Sequence, residues 1–425
     1  MLALAAVLVL AAAQAAPASE APAQKPVRIP QASGTPGSPL ESGLETVGEH
    51  FIQPIPRERL ETMAFAALLE KLDPYSHYLE PAEMDAFRAE LDASFAGIGV
   101  NLFYEDPSGY PSVSYLLRGG IGGTADLRRG DLMLSVNGTD LKGKQWEQVS
   151  ALLRGRAGTP VTLRIRRDGV AEPITLEVKR VQIDTPSVRS LRRDAHDQPD
   201  WWLDRERKLG YLRLGSVVGD TPASVAKAMR ELHAGGARGL VLDLRDCAGG
   251  LIDSAVETAD QFLDHGRILS IHQRDEDRHF DARRGGDTRT RIAVLINGKT
   301  ISACEMVAGA LADNDRATLF GERTYGKGRM QVIYTLGEGH GGMVMSTGTF
   351  QRPNGKTIDK HDVPEGSPDA GIAPQVEVKT SEAEHEAWLE YAEKSTGLQL
   401  MSREEMGPAP PDPVLESARR WLEEK

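Results

Sequence analysis

Three segments of the sequence combine residue types that can do chemistry. In the first, from Val241 to Gly250, an apolar strand pattern runs into the glycine pair Gly249-Gly250. A tight glycine turn exposes backbone N–H groups, which can hold developing negative charge. Taken alone, the segment fits an ordinary turn between a strand and a helix better. It also lacks the G-K-[ST] ending of a nucleotide-binding P-loop.

The second segment begins at Ser302, where the pattern predicts a helix after a buried strand. Ser302 and Glu305 match the capping box, in which a serine and a glutamate cap the first turn of a helix. A capping serine is much commoner than a nucleophile. A helix start nevertheless places the serine beside backbone N–H groups, and these suit an oxyanion.

The third segment, from Gly321 to Gln331, carries Lys327 between two glycines, so backbone can approach the lysine closely. A lysine usually extends its amine into solvent. To act as a base near neutral pH, its pKa must fall from about 10.4 by roughly 3 units, which burial can achieve. Gln331 can orient the amine by a hydrogen bond. No histidine stands in a comparable position to serve a Ser-His-Asp triad.

The elements that must position these segments are of mixed type. Between Trp201 and Val378, apolar strand patterns alternate with helix patterns, which predicts an α/β core. The predicted strands cover 209–214, 239–244 and 291–296, and the predicted helices begin at Thr221, Ser254 and Ser302.

Three other regions accompany this core. From Leu40 to Leu91 the pattern is helical, with an i, i+3, i+4 stripe. From Gly97 to Ile183 short alternating strands and one helix, Trp146 to Leu153, predict a β-rich module. Beyond Lys379, two amphipathic stretches separated by prolines predict a peripheral helical tail. The stripe consists of Leu60, Met63, Ala64, Ala67, Leu68 and Leu72.

The start of the sequence predicts export. An apolar run of about 12 residues from Leu2 is followed by small residues, as in signal-peptide cleavage sites, and a membrane span needs about 20. No basic residue precedes the run, so either the start has been placed too late or the signal is weak. An uncleaved anchor is the alternative. Residues 17–39 are rich in Pro, Ala, Ser and Gly, and they predict a flexible leader.

Composition restricts the class of protein further. A chain of 425 residues predicts two or three domains, and its net charge of −12 argues against a nucleic-acid partner. There are two cysteines, no C-x-x-C and no H-E-x-x-H. We therefore expect neither a metal site nor a cofactor.

Together these segments resemble the carboxyl-terminal processing proteases, or tail-specific proteases, of peptidase family S41. The resemblance runs from about residue 44 to 378. Lys327 follows Ser302 at the interval of the family's Ser-Lys dyad, and Gln331 falls where the family has its third member. The matching motifs begin at Leu72 (LDPYSHYL), Phe95 (FAGIGV), Val241 (VLDLR, then Gly249-Gly250), Ser302 (SACEMVAGALAD) and Gly321 (GE-x-TYGKG).

The resemblance implies serine acyl transfer with lysine as the base. Lys327 removes the hydroxyl proton of Ser302, whose oxygen attacks the scissile carbonyl, and Gln331 orients the lysine. The N–H of Ala303 and an N–H of the Gly249-Gly250 turn hold the oxyanion. Supporting roles are implied at three further matching positions, Glu305, Asp313 and Thr324. Asp313 also fits the plain polar end of a helix.

The β-rich module resembles the family's PDZ domain. Gly97, Ile98, Gly99 and Val100 lie where PDZ domains carry the loop that binds a C-terminal carboxylate through backbone N–H groups. The strand that follows would pair with the end of the substrate, and the helix from Trp146 would form the other wall of the groove. Alternatively, the two glycines merely permit a turn.

The predicted protein is therefore an exported serine endopeptidase, periplasmic or bound to the cell envelope. Its substrates would be proteins or peptides with free, apolar C-termini, and an adaptor protein or a homo-oligomer is compatible with this function. A catalytically silent PDZ scaffold is the alternative. A third interpretation is a crotonase-like acyl-CoA enzyme, but that function does not explain a lysine at the spacing of Lys327 from Ser302. The predicted domains are a signal peptide (1–16), a leader (17–39), a helical segment (40–93), a PDZ domain (94–183), a protease core (184–380) and a C-terminal helical tail (381–425).

The sequence departs from the family at three places, none of which removes a dyad member. Asp246-Cys247-Ala248 replaces an Asn-rich stretch before the paired glycines, Cys304 replaces a serine, and Gly122-Gly123-Thr124 replaces a Pro-Ala stretch. We expect Cys304 to be a small buried helix residue and Cys247 a surface thiol. If both loops face one oxyanion, a disulfide between the two cysteines is the alternative.

Overall fold

The computed structural model describes residues 38–81, 83–84, 94–104, 106–117, 119–121, 125–184, 186–194, 196, 198–337, 340–395 and 408–424. These residues form a mixed α/β structure, which confirms the predicted fold class. The predicted signal peptide, nearly all of the predicted leader, and the stretch Gly122-Gly123-Thr124 lie outside the described residues.

Helices and strands follow one another along most of the described chain. The helices are α1 (Pro39–His50), α2 (Arg57–Glu70), α3 (Trp146–Leu153), α4 (Thr221–Ala234), α5 (Ile252–Asp260), α6 (Ala303–Asp313), α7 (Glu382–Ser395) and α8 (Pro413–Glu423). The strands before the core are β1 (His77–Leu79), β2 (Ser94–Gly97), β3 (Val100–Phe103), β4 (Ser112–Leu116), β5 (Leu132–Val136), β6 (Thr139–Asp140), β7 (Pro160–Arg166), β8 (Ile174–Lys179) and β9 (Val181–Asp184). The later strands are β10 (Val188–Arg189), β11 (Arg192–Arg193), β12 (Pro199–Asp200), β13 (Trp202–Asp204), β14 (Leu209–Leu214), β15 (Gly239–Asp243), β16 (Arg267–Gln273), β17 (Asp277–Asp281), β18 (Arg291–Ile296), β19 (Ala317–Gly321), β20 (Arg329–Thr335), β21 (Gly342–Gln351) and β22 (Val376–Glu377).

A sheet with parallel central strands forms the centre of the core. Strands β14, β15, β18, β19 and β22 lie side by side in that order and run parallel. Every residue of β14 and β15 is buried, as expected for strands covered on both faces. Because parallel strands end at the same edge, the chain leaves β15 and β18 at neighbouring points. The glycine turn and Ser302 follow those two strands.

A second, antiparallel sheet carries the third chemical segment. Its order is β1-β21-β16-β17, with β20 also paired to β21. Gln331 lies in β20, and Lys327 lies just before that strand. Between the predicted helices of the segment 40–93, the motif that begins at Leu72 is not helical, because α2 ends at Glu70 and His77–Leu79 pairs with β21. Asp73 causes the change of direction by accepting the N–H groups of Tyr75 and Ser76, both at 2.8 Å.

The β-rich module has its own sheet and its own core. Strands β3, β4, β5, β7 and β8 are paired in that order, with β6 on β5. Helix α3 has the predicted bounds, and its residues Val149 and Leu153 are buried against the sheet. Strand β2 pairs separately with β9, which brings the two ends of the module together.

The N-terminal helices form as predicted, but the predicted stripe does not mark their buried face. Leu60 is buried, whereas Met63, Leu68 and Leu72 are exposed, and the buried leucine further along α2 is Leu69. Helix α2 carries apolar side chains on several sides, so their spacing does not single out one face.

The C-terminal tail is helical as predicted, but it is not peripheral. Val414, Ala418 and Leu422 of α8 are buried in one cluster with residues of the central sheet. Trp388 of α7 is also buried, at 4% exposure. The amphipathic pattern predicted a helix with one apolar face, and in the structure the apolar face of α8 packs on the central sheet.

Candidate active site

Ser302 lies between β18 and α6 in a conformation that side chains rarely adopt. Its φ is +55° and its ψ is −117°. Residues other than glycine pay a free-energy cost at positive φ, and such strain is concentrated at functional sites. The residue is half-buried, so its hydroxyl lies at the edge of the core. The predicted capping serine is therefore held in an unusual backbone geometry at the start of a buried helix.

The Gly249-Gly250 turn lies against Ser302. Both glycines have positive φ, +104° and +143°. A Cβ placed on Gly249 would lie 3.1 Å from the Cβ of Ser302 and 3.7 Å from the backbone nitrogen of Ala303. A Cβ on Gly250 would lie 2.0 Å from the carbonyl oxygen of Val217, so a side chain has no room there. The structure thus brings together the predicted serine, Ala303 and the glycine pair.

Cys247 and Cys304 form a disulfide, with their Cα atoms 6.0 Å apart. The expectation of a surface thiol at Cys247 is wrong, because both cysteines are fully buried. The bond joins the glycine turn to helix α6. The N–H of Gly249 donates to Cys304 Sγ at 3.3 Å. In the described part of the chain no hydrogen bond uses the N–H of Gly250 or that of Ala303, so these two are the donors left for an oxyanion.

Glu305 connects the backbone of the serine to that of the lysine. Its Oε2 accepts the N–H of Ser302 at 2.8 Å and the N–H of Lys327 at 2.9 Å. Its Oε1 accepts the N–H of Gly326 at 2.8 Å and the Thr324 hydroxyl at 2.6 Å. Burial raises the pKa of Glu305 to about 7, and these four hydrogen bonds act in the opposite direction. One buried carboxyl group therefore sets where both chemical segments lie.

Lys327 points its amine at Gln331. The Nζ donates to Gln331 Oε1 at 2.7 Å, and Gln331 Nε2 donates to the carbonyl of Tyr75 at 2.7 Å. The second bond fixes which end of the amide faces the lysine. Burial lowers the pKa of Lys327, against the opposing charges of Asp359 and Asp73. In the described chain no hydrogen bond joins Ser302 Oγ to Lys327 Nζ, and the amine is held by Gln331 instead.

The two remaining predicted supporting residues lie in different places. Thr324 belongs to the site, since its hydroxyl donates to Glu305 and accepts the N–H of Ile372 at 2.7 Å. Asp313 ends α6, about 16 Å along the helix from Ser302 at about 1.5 Å per residue. It forms a salt bridge with Arg352. The structure does not bring Asp313 to the chemical groups, and it fits the polar end of a helix.

Two groups near the lysine were missed by sequence reasoning. The ring of Tyr75 lies 5.0 Å from Lys327 Nζ, and its buried hydroxyl has no partner among the described residues. Asp359 is fully buried and accepts the N–H of Gly328 at 3.0 Å. Tyr75 belongs to the motif beginning at Leu72, yet nothing local to that motif reveals that its ring lies against Lys327.

The predicted carboxylate loop lies between β2 and β3. Gly99 has φ +68°, and a Cβ there would lie 2.6 Å from Gly120 Cα, so glycine is required. Gly97 is the last residue of β2, Ile98 is buried and Val100 begins β3. At the other end of β3, Tyr104 and Trp146 of α3 have ring centroids 6.5 Å apart.

Comparisons with known proteins agree with these observations. The chain matches the description "Peptidase family S41" over residues 208–378 and "PDZ domain" over residues 112–167. A chloroplastic C-terminal processing peptidase of Tetradesmus obliquus is 33% identical over 341 residues, 76% of this chain and 70% of the relative. The chain belongs to the carboxyl-terminal processing peptidases of family S41.

A second relative supports this assignment. A carboxy-terminal-processing protease of Bartonella bacilliformis is 30% identical over 322 residues, 74% of this chain and 70% of the relative. A solved photosystem II D1 C-terminal processing protease is 30% identical, covering 79% of this chain and 86% of that one, with a TM-score of 0.45. From the family matches and the two sequence relatives, the protein is a serine-type peptidase with a PDZ domain, and its substrates are proteins or peptides.

Two further observations concern the described residues alone. They include no helix whose length and apolar character would let it cross a membrane. They also include no group of three or more His, Cys, Asp or Glu side chains placed to hold a metal ion.

Proposed function

We propose that this peptidase cleaves by a Ser302–Lys327 mechanism and captures the free C-terminus of its substrate in the PDZ loop. The observation that carries the first part is the Glu305 carboxyl group, which accepts the N–H groups of both Ser302 and Lys327. A shared acceptor keeps the two residues in a fixed relation. The lowered pKa of Lys327 also favours the neutral amine that a base requires.

In the proposed reaction, the proton of Ser302 Oγ moves to the lone pair of neutral Lys327 Nζ as the oxygen attacks the scissile carbonyl. The oxyanion is held by the N–H groups of Ala303 and Gly250. The C–N bond then breaks, and Lys327 returns the proton to the leaving amine. Water attacks the acyl-enzyme with the same base and releases Ser302. Gln331 accepts a hydrogen bond from one N–H of the Lys327 amine, and this orients the nitrogen lone pair toward Ser302.

The test of the base is Lys327→Arg. Arginine stays charged at any working pH, so it cannot accept the serine proton. We expect peptide turnover to fall by at least about 100-fold, within the range that general-base catalysis supplies. Lys299→Arg is the control, because Lys299 is exposed and lies three residues before Ser302 in the chain. Turnover of Lys327→Arg within tenfold of wild type would rule out the lysine as the base.

We also propose that Gly97, Ile98, Gly99 and Val100 bind the carboxylate of a substrate with an apolar C-terminus. The sharp turn at Gly99 before an available strand is the arrangement that strand-addition binding uses. The test compares one protein substrate with its C-terminally amidated form. We expect the free acid to be cleaved faster and with a lower KM. Equal cleavage of both forms would contradict carboxylate capture.

Export to the periplasm or cell envelope is proposed on the signal-like start of the sequence. The domain bounds given above are likewise proposed. Expression in a bacterial host, followed by fractionation and N-terminal sequencing of the mature protein, tests export. We expect the protein outside the cytoplasm, with a new N-terminus close to residue 17. Protein retained in the cytoplasm with Met1 intact would contradict it.

A further inference from the structure

The C-terminal helices hold the start of the glycine turn, and we propose that they are a positioning element of the active site. His385 in the first turn of α7 and Asp412 at the N-cap of α8 bind the two residues that open the turn. Those residues are Arg245 and Asp246. The inference rests on the proposed function, in which the Gly249-Gly250 turn supplies an oxyanion donor.

The turn needs such restraint because one of its residues is strained. Asp246 has φ +55°, in the left-handed region that residues other than glycine seldom occupy, although aspartate enters it more readily than most side chains do. A residue persists in this conformation only where its surroundings hold it. The N–H of Asp246 donates to Asn297 Oδ1 at 3.1 Å, which fixes the backbone on one side. The side chain must be fixed from another.

His385 supplies that second contact. Its Nε2 lies 2.9 Å from Oδ1 of Asp246, and the two side chains are 16% and 12% exposed. The other carboxylate oxygen of Asp246 is buried and has no hydrogen-bond partner among the described residues. Removal of His385 therefore leaves a largely buried carboxylate without its side-chain donor. A buried acceptor that loses its partner raises the free energy of the folded state, and a shift of the strained turn would lower that free energy by exposing the carboxylate to water.

Arg245, the preceding residue, is held by the same part of the chain. Its guanidinium donates to both oxygens of Asp412, at 2.9 and 2.8 Å, and to both oxygens of Asp243. The ring of Trp388 lies 3.7 Å from its Cζ. Paired carboxylates and an aromatic face fix a planar guanidinium in one orientation. Arg245 is 4% exposed, so this network excludes water at the start of the turn.

The two α7 contacts come from one face of the helix. His385 and Trp388 are three residues apart, which places them side by side, and their rings are stacked at 6.2 Å. The C-terminal helices therefore bind Arg245 and Asp246, while the disulfide fixes the next residue, Cys247. Displacement of the turn would move the Gly250 N–H away from the oxyanion. Such a donor acts on the transition state, so its loss lowers kcat more than it raises KM.

The experiment compares three variants of the full-length peptidase with wild type. His385→Ala removes the donor to Asp246, His385→Gln retains an N–H donor in nearly the same place, and Glu386→Ala changes an exposed neighbour on α7. For each variant, kcat and KM are measured with a free-acid peptide substrate, together with the thermal unfolding midpoint. Ser302→Ala is assayed in parallel, because its activity reports on the proposed function itself.

We expect His385→Ala to lower kcat about tenfold with KM within twofold, less than the 100-fold or more lost when an oxyanion donor is removed outright. His385→Gln should recover most of kcat, and Glu386→Ala should match wild type. Normal kcat in His385→Ala would overturn the inference while leaving the proposed function intact. An equal loss in His385→Gln, or a loss explained by a lower unfolding midpoint, would overturn it as well. Activity in Ser302→Ala would instead reject the proposed function.

Discussion

Loss of the Cys247–Cys304 disulfide should destabilise the protease core by about 4 kcal/mol. The bond closes a loop with a sequence separation of 57 residues. The chain-entropy expression for such a loop gives about 14 cal/mol/K, or about 4 kcal/mol at 25 °C. Both cysteines are fully buried, so a reductant reaches the bond only after unfolding. Reduction is therefore carried out in denaturant, and the chain is refolded in the continued presence of the reductant.

The measurement is guanidinium unfolding of the oxidised and reduced forms, followed by tryptophan fluorescence. Trp202 and Trp388 report on the core, since both are buried there. We expect the core transition to move to clearly lower denaturant in the reduced form. A variant with both cysteines changed to alanine is the control, and reductant should not affect it. A shift below about 1 kcal/mol, or an equal shift in the control, would refute the loop-closure reasoning.

Three more predictions follow from the site. Glu305→Gln should lower kcat at least tenfold while circular dichroism shows that the fold is retained. The reason is that the amide NH2 group of glutamine cannot accept the backbone N–H groups that one carboxylate oxygen of Glu305 accepts. Unchanged kcat would contradict this. The value of kcat/KM should rise with pH through a pKa below the usual lysine range, since burial favours neutral Lys327 and only that form accepts a proton; a flat profile would argue against it. Gly99→Ala should abolish the preference for free-acid over amidated substrates, because the new Cβ would meet Gly120 backbone; a retained preference would disprove a role for this turn.

The groups that the sequence singled out as candidates are those with a distinctive local spacing. Ser302 and Glu305 share one helix turn, and Lys327 lies between two glycines, so each is visible as a short motif. The strands that carry them were equally visible, because a strand buried on both faces reads as a continuous apolar run. Family resemblance then connected the segments, which no local pattern could do.

What the sequence did not reveal depends on contacts between distant parts of the chain. The link from Gln331 to Tyr75 joins residues 256 positions apart, and that from Arg245 to Asp412 spans 167. The C-terminal tail was predicted to be peripheral because an amphipathic pattern shows that a helix has an apolar face but not which part of the protein that face packs against. For the same reason, the sequence did not decide whether Cys247 and Cys304 form a disulfide, since spacing alone does not give the distance between two loops.

Covalent labelling shows whether Ser302 is the nucleophile of this peptidase. The wild-type peptidase is treated with a fluorophosphonate, the adduct is mapped by peptide mass spectrometry, and the remaining peptide turnover is measured at each extent of labelling. We expect one adduct, on Ser302, with turnover lost in proportion to it and labelling strongly slowed in Lys327→Arg. Turnover that persists after Ser302 is fully labelled, or an adduct on another residue that abolishes activity, would contradict it.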